Sequence, residues 1–224
     1  MTITIHDAFE QGSQQWLDAR CGLLTASEVK LILSPTLKVA NNDKTRAHAY
    51  ELAAQRITQY VEPRYIGDDM LRGHEDEVRA RLAYSEAYAD VAECGFITND
   101  SFGFTLGYSP DGLVGDDGLI ECKSRCQKLQ VQTIVNGVPD EHMLQLQTGL
   151  LVTGRKWLDY ISYSGGMPMA TMRVEPDAEI QDAIVTAATA FEQRIADVIA
   201  DYHANLKSMR WLPTERVVEQ EMHL

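Results

Sequence analysis

Between Gly95 and Ser124 the chain reads as three short apolar runs, GFITND, FGFTLGYSPDG and GLIECKS, broken by Gly, Asp and Asn. Each run has the length of a β-strand, and Asn99-Asp100 and Asp116-Asp117-Gly118 supply turn chemistry between them. This stretch constrains the fold more than any other, because helical patterns lie on both sides of it. Thr25-Ala26-Ser27-Glu28 has the form of a capping box that opens a short helix through about Leu33, closed by Pro35. Residues 43–60 are Ala-rich with helical spacing, and residues 72–90 form another helix with Leu71, Val78 and Leu82 on one face. Residues 139–153 read as helix, LDYISYSGG and MATMRVEP alternate as two further strands, and a long helix covers 177–208. Strands flanked by helices with mixed connections predict an α/β fold, a central mixed sheet with helices around it. The 224 residues suit one domain, 1–224, with a helical part to about residue 90, a sheet core over about 91–175 and the C-terminal helix.

Composition narrows the class. An apolar content of 45% is too high for intrinsic disorder, and no apolar run approaches the ~20 residues of a membrane helix. The start, MTITIHDAFEQG, has neither a basic segment nor an apolar core, so no export signal is read there. Cysteines at 21, 94, 122 and 126 form no CxxC pair, which argues against a zinc ribbon and for reduced thiols in a cytoplasmic protein without a membrane partner. The net charge of −13 argues against a protein that coats nucleic acid. It leaves room for an enzyme that needs carboxylates for metal and keeps a small basic channel.

The chemistry concentrates in Ser109-Pro110-Asp111-Gly112 and Glu121-Cys122-Lys123. Glu121 and Lys123 are two apart on a strand and face the same way. A hairpin brings Asp111 beside Glu121, and two adjacent carboxylates repel unless a cation joins them. Mg²⁺, with Mn²⁺ as a substitute, suits such an oxygen site, with the Cys122 main-chain carbonyl as a further ligand. Lys123 then lies near the water and the phosphate. A solvated Glu/Lys pair on a strand is the plain alternative for E-x-K alone. Helical geometry does not choose between Glu75 and Glu77 as a third acid. His74-Glu75 is not a zincin motif, because Val78 stands where the second His would be, and His142 reads as an ordinary polar helix residue. The capped turn with Ser27 and Arg20 offers donors to an anion.

The pattern P-D-(x9)-E-x-K is similar to that of restriction-endonuclease-like nucleases. GYSPDGLVGDDGLIECKSR resembles the phage lambda exonuclease family, the YqaJ-like viral recombinases. Three more segments resemble that family in the same order: RCGLLTASE from Arg20 to Glu28, GHEDE from Gly73 to Glu77, and Gln145-Leu146-Gln147. The resemblance spans roughly residues 16–152 and implies a restriction-endonuclease-like core.

By the resemblance, Asp111, Glu121 and the Cys122 carbonyl hold metal, Lys123 is the catalytic lysine, and Glu77 and Gln145 complete the catalytic set. Arg20, Ser27 and Ser109 match the residues that hold a 5′-terminal phosphate. The family's next basic position falls on Leu129 here, so Arg125 or Lys128 is the candidate in its place. Met70 and Leu71 match an apolar wedge that separates the strands. The implied activity is a Mg²⁺-dependent 5′-to-3′ exonuclease on linear double-stranded DNA that releases 5′-mononucleotides and leaves 3′ overhangs. A homotrimeric ring, a single-strand annealing partner and a phage or prophage origin follow from the same resemblance. The alternatives are an endonuclease or repair nuclease of the same fold and an inactive DNA-binding or structural module.

Overall fold

A computed structural model describes residues 2–63 and 67–216, with residues 68–70 described in backbone only. The expected α/β class is present, and its strands divide between two four-stranded mixed sheets. The first runs β1 (Ile3–His6), β3 (Phe96–Asn99), β4 (Leu106–Tyr108), β2 (Leu24–Thr25), and the second runs β5 (Gly112–Val114), β6 (Gly118–Ser124), β7 (Trp157–Tyr163), β8 (Ala170–Val174). The helices are α1 (Gln14–Arg20), α2 (Asp43–Thr58), α3 (Asp68–Ala87), α4 (Gln127–Asn136), α5 (Asp140–Thr153) and α6 (Ala178–Leu206).

The break between sheets has a chemical cause. Only Ser109, Pro110 and Asp111 separate β4 from β5. Proline has no N–H for a ladder, so pairing stops there and the chain restarts in the second sheet. Within that sheet β6 runs antiparallel to β5 and parallel to β7. A parallel neighbour requires a long crossover, which α4 and α5 provide. Leu119, Ile120, Glu121 and Cys122 are all buried, as a strand covered on both faces must be. Helix α3 covers one face, where Ile120, Cys122 and Ile161 cluster with Ala80 and Tyr84. Helix α5 covers the other and also touches β3 and β4, so it bridges the two sheets.

The helices anchor the rest. Asn42 caps α2 by accepting from the N–H groups of Lys44 and Thr45, and Asp177 caps α6 by accepting from Glu179 and Ile180. The buried Ile184, Ala187, Ala188, Phe191 and Ile195 recur at helical spacing and seat α6 on the core. A fork from Arg56 to both oxygens of Glu192, at 2.7 and 2.8 Å, ties α2 to α6.

Several expectations are corrected. Helix α3 begins at Asp68 rather than residue 72, and it turns Asp76, Ala80 and Tyr84 inward. The Leu71, Val78 and Leu82 face points to solvent. The segment after Thr25 is a six-residue 3₁₀ helix (Ala26–Leu31), whose small dipole weakens the argument for anion binding at its start. Helices α1 and α4 were not anticipated. Among the described residues no helix is long and apolar enough to cross a membrane.

Candidate active site

Gly112 pairs with Ile120 across β5 and β6, so one step back along the chain sets Asp111 opposite Glu121. Both side chains are buried, at 8% and 2% exposure. Asp111 Oδ2 accepts from the Cys122 N–H at 2.5 Å. The N–H and C=O of a strand residue point to the same side, so the Cys122 carbonyl is also turned toward Asp111. Glu121 accepts from three side chains on three elements. The Tyr108 hydroxyl of β4 donates to Oε2 at 2.7 Å, while Lys123 of β6 and Gln145 of α5 donate to Oε1 at 2.6 and 2.5 Å.

Burial and then the nearby Glu121 and Glu77 carboxylates hold the Asp111 carboxyl well above its ordinary pKa. Burial raises Glu77 as well, against the pull of the Arg81 guanidinium. Burial pushes the Lys123 ammonium down, but Glu121 and Asp111 outweigh it and hold that ammonium above its ordinary value. Lys123 is therefore charged beside this acid pair. Burial, helped by Lys123 and Arg125, lowers His142 to about 4, so its ring is neutral at pH 7.

This electrostatic arrangement fits a divalent cation. Two buried acids that repel each other ionise together when a cation lies between them. Among the described residues no group of three or more His, Cys, Asp or Glu forms a closed metal cage. The donors present are those of an open site, two carboxylates and a carbonyl, which leaves room for water and phosphate.

A cavity of about 220 Å³ is lined by Asp111, Glu121, Lys123 and Gln145 together with Arg20, Thr25, Ser27 and Ser109. Arg20 lies over the Trp16 ring at 4.2 Å and donates to Ser109 Oγ at 3.4 Å and Thr25 Oγ1 at 3.2 Å. Trp16 Nε1 donates to the same Ser109 oxygen at 2.9 Å. The Thr25 and Ser27 hydroxyl oxygens are 3.4 Å apart. A planar guanidinium with two or three hydroxyls suits a tetrahedral dianion. A second cavity of about 390 Å³ continues past Asp111 and is lined by His74, Glu77, Arg81 and Glu93.

The structure separates the sequence candidates. Glu77 lines the second cavity with Asp111, whereas Glu75 is exposed and pairs with Arg79 at 3.4 Å. Arg125 does not line the cavity shared by Arg20 and Ser109; it faces Glu141 at 3.4 Å, and Lys128 is exposed on α4. Leu71 is 54% exposed on the first turns of α3, and the Met70 side chain lies outside the described residues. Sequence reasoning missed Tyr108, Arg81 and Trp16. Tyr108 immediately precedes Ser109, and Arg81 lies one helical turn after Glu77, so spacing alone offered a weak signal for both.

A family model for the YqaJ-like viral recombinase domain matches residues 15–156. The chain belongs to the YqaJ-like viral recombinase family. Its fold is similar to an alkaline exonuclease, LHK-Exo, from Laribacter hongkongensis, with 32% identity and a TM-score of 0.77 over 88% of this chain and 99% of that one. A structure of LHK-Exo in complex with dAMP matches with a TM-score of 0.78 at the same identity and coverage. A phage related exonuclease from Haemophilus somnus 129PT shares the fold at 12% identity, with a TM-score of 0.59 over 80% of this chain and 96% of that one. No curated protein sequence gives a significant match. The chain has the restriction-endonuclease-like fold of the alkaline exonuclease, with mixed sheets flanked by helices.

Proposed function

We propose that this protein is a Mg²⁺-dependent exonuclease that degrades the 5′-ended strand of linear double-stranded DNA, releases 5′-mononucleotides and leaves a 3′ overhang for strand annealing. Family membership and the exonuclease relatives support a nuclease, and nucleases of this fold generally use divalent ions. The observation that carries the finer reading is the shared cavity: the Asp111–Glu121–Lys123 cluster opens into the space lined by Arg20, Ser27 and Ser109. A terminal phosphate held by Arg20, Ser27 and Ser109 would share this cavity with the acids, which suits attack on the next phosphodiester.

Asp111, Glu121 and the Cys122 carbonyl would hold the ion, with Glu77 beside them. When bound, the ion supplies Lewis acidity at the phosphate and lowers the pKa of the attacking water. Lys123 balances the charge that grows on the phosphate oxygens, and Gln145 keeps Glu121 in place. Arg20 with Ser27 and Ser109 fixes the departing 5′ nucleotide, which sets the register of cleavage. A homotrimeric ring would hold DNA topologically and so tolerate the acidic exterior. The exposed apolar side chains of Val131, Ile134 and Val135 on α4 offer a face for subunit contact. A single-strand annealing protein is the expected partner.

The test is digestion of duplexes that differ in one feature each, with and without Mg²⁺. Linear DNA with 5′ phosphates should release mononucleotides fastest, 5′-hydroxyl ends more slowly, and closed circles should survive. Asp111→Ala should remove the activity in a folded protein. Cleavage of closed circles would make it an endonuclease, and persistent activity in Asp111→Ala would refute the metal site.

A further inference from the structure

Glu121 is held from a direction that the sequence motifs do not include. Tyr108 ends β4 in the first sheet, and Glu121 sits in β6 of the second. The tyrosine is 1% exposed, and its hydroxyl donates to Glu121 Oε2 at 2.7 Å. The other carboxylate oxygen already accepts from Lys123 and Gln145. The Tyr108 hydroxyl is therefore the contact that holds Oε2 and, with the two donors on Oε1, fixes rotation of the carboxylate about its last bond.

Helix α5 makes room for that ring. Gly149 lies inside the helix, where glycine is the poorest ordinary residue, by ~1 kcal/mol relative to alanine. A β-carbon at Gly149 would stand 2.8 Å from Tyr108 Cζ and 2.9 Å from Cε1. The close approach of backbone to ring lets the tyrosine lie against α5 with its hydroxyl on Glu121.

From this geometry we infer that Tyr108 is a positioning residue for the metal-binding carboxylate, locked in place by Gly149. The inference deepens the nuclease reading and rests on it. Tyr108→Phe keeps the ring and deletes only the donor, so it tests the contact without opening a cavity. Partners in the shell around metal ligands are commonly worth about 10–100-fold in affinity or activity.

Three measurements are needed on the full chain: Mn²⁺ affinity by calorimetry, kcat and KM on 5′-phosphorylated duplex, and the urea midpoint. Tyr108→Phe should weaken Mn²⁺ and lower kcat, each about tenfold, with KM for DNA within twofold. Gly149→Ala should reproduce both losses by displacing the ring. The double variant should be no worse than either single one, because both act through one contact. Unchanged Mn²⁺ affinity and kcat in a folded Tyr108→Phe protein would overturn the inference, as would a lowered urea midpoint alone. Failure of the underlying reading looks different: the unaltered protein would then bind no Mn²⁺, or Asp111→Ala would remain active.

Discussion

Replacing Arg81 by Gln should injure activity more than folding. Arg81 reaches from α3 to the Pro110-Asp111 turn, where Nη1 donates to the Asp111 carbonyl oxygen at 3.1 Å and lies 3.4 Å from Glu77. Nη2 lies 3.1 Å from Glu93, which is 77% exposed, so that contact contributes about 0–1 kcal/mol. The Arg81 and Glu77 side chains are only 18% and 21% exposed. Breaking a fully buried pair from one side costs about 3–5 kcal/mol, but the long contact and residual exposure lower that figure. Glu77 can also take up a proton, since burial already raises its pKa. The carbonyl bond adds about 1.5–3 kcal/mol, part of which glutamine can recover. A net loss of about 2–3 kcal/mol by urea denaturation is expected. The effect on nucleotide release should be larger, about 10–100-fold, because the backbone that aims Asp111 loses its anchor. Arg79→Gln is the control, since that side chain is 59% exposed on the same helix and its removal makes the same charge change. Equal effects of the two substitutions on release would refute the reasoning.

Two further outcomes concern the buried acids and a distant ion pair. In the metal-free protein Asp111 and Glu77 have raised pKa values, so between about pH 4 and those values the folded state binds more protons than the unfolded chain. Stability should then fall as pH rises through that window; the urea midpoint of Asp111→Asn should fall less from pH 5 to 8, and Mg²⁺ should raise only the midpoint of the unaltered protein. Away from the site, Arg56→Ala should lower stability by about 1–3 kcal/mol through loss of the Glu192 fork while kcat stays within twofold, measured by urea denaturation and nucleotide release.

Most of the fold was legible where the pattern was local. Residues 43–60, 139–153 and 177–208 read as helices α2, α5 and α6 from their local pattern, and their boundaries fall within two residues of Asp43–Thr58, Asp140–Thr153 and Ala178–Leu206. Helix α4 was hidden by its β-branched Val131, Thr133, Ile134 and Val135, which carry strand propensity as readily as helix. The inward face of α3 was misjudged because its buried residues include Asp76, which accepts from the Ser124 hydroxyl at 2.6 Å. A hydrophobic pattern cannot register an acid buried against a partner 48 residues away. The split into two sheets was equally non-local, since it depends on which edge each strand finds. Asp111, Glu121 and Lys123 were named from motif spacing and Gln145 from the family resemblance, and they meet in one cavity. Tyr108 was not named, because its contact joins two sheets and its place just before Ser109 is only a weak signal.

The Pro-Asp dipeptide explains why the acids lie where the chain leaves one sheet for the other. Continuing the β5–β6 register past Gly112–Ile120 places Asp111 opposite Glu121 and Pro110 opposite Cys122. Hydrogen-bonded and non-hydrogen-bonded pairs alternate along an antiparallel ladder, and side chains approach most closely in the second kind. The Cys122 N–H is aimed at this edge, which makes Asp111–Glu121 the close pair. An ordinary residue at 110 would engage both the N–H and the carbonyl of Cys122 and close the edge. Proline has no N–H to give that carbonyl, and the Pro110 carbonyl accepts instead from Gln11 at 3.4 Å. The Asp111 carboxylate then satisfies the Cys122 N–H from the side. One imino acid thus ends a strand, leaves a carbonyl oxygen directed at the site, and delivers a carboxylate beside it. The electrostatic tension between Asp111 and Glu121 is built by the same turn, so the pull toward a cation and the end of the sheet have a single origin.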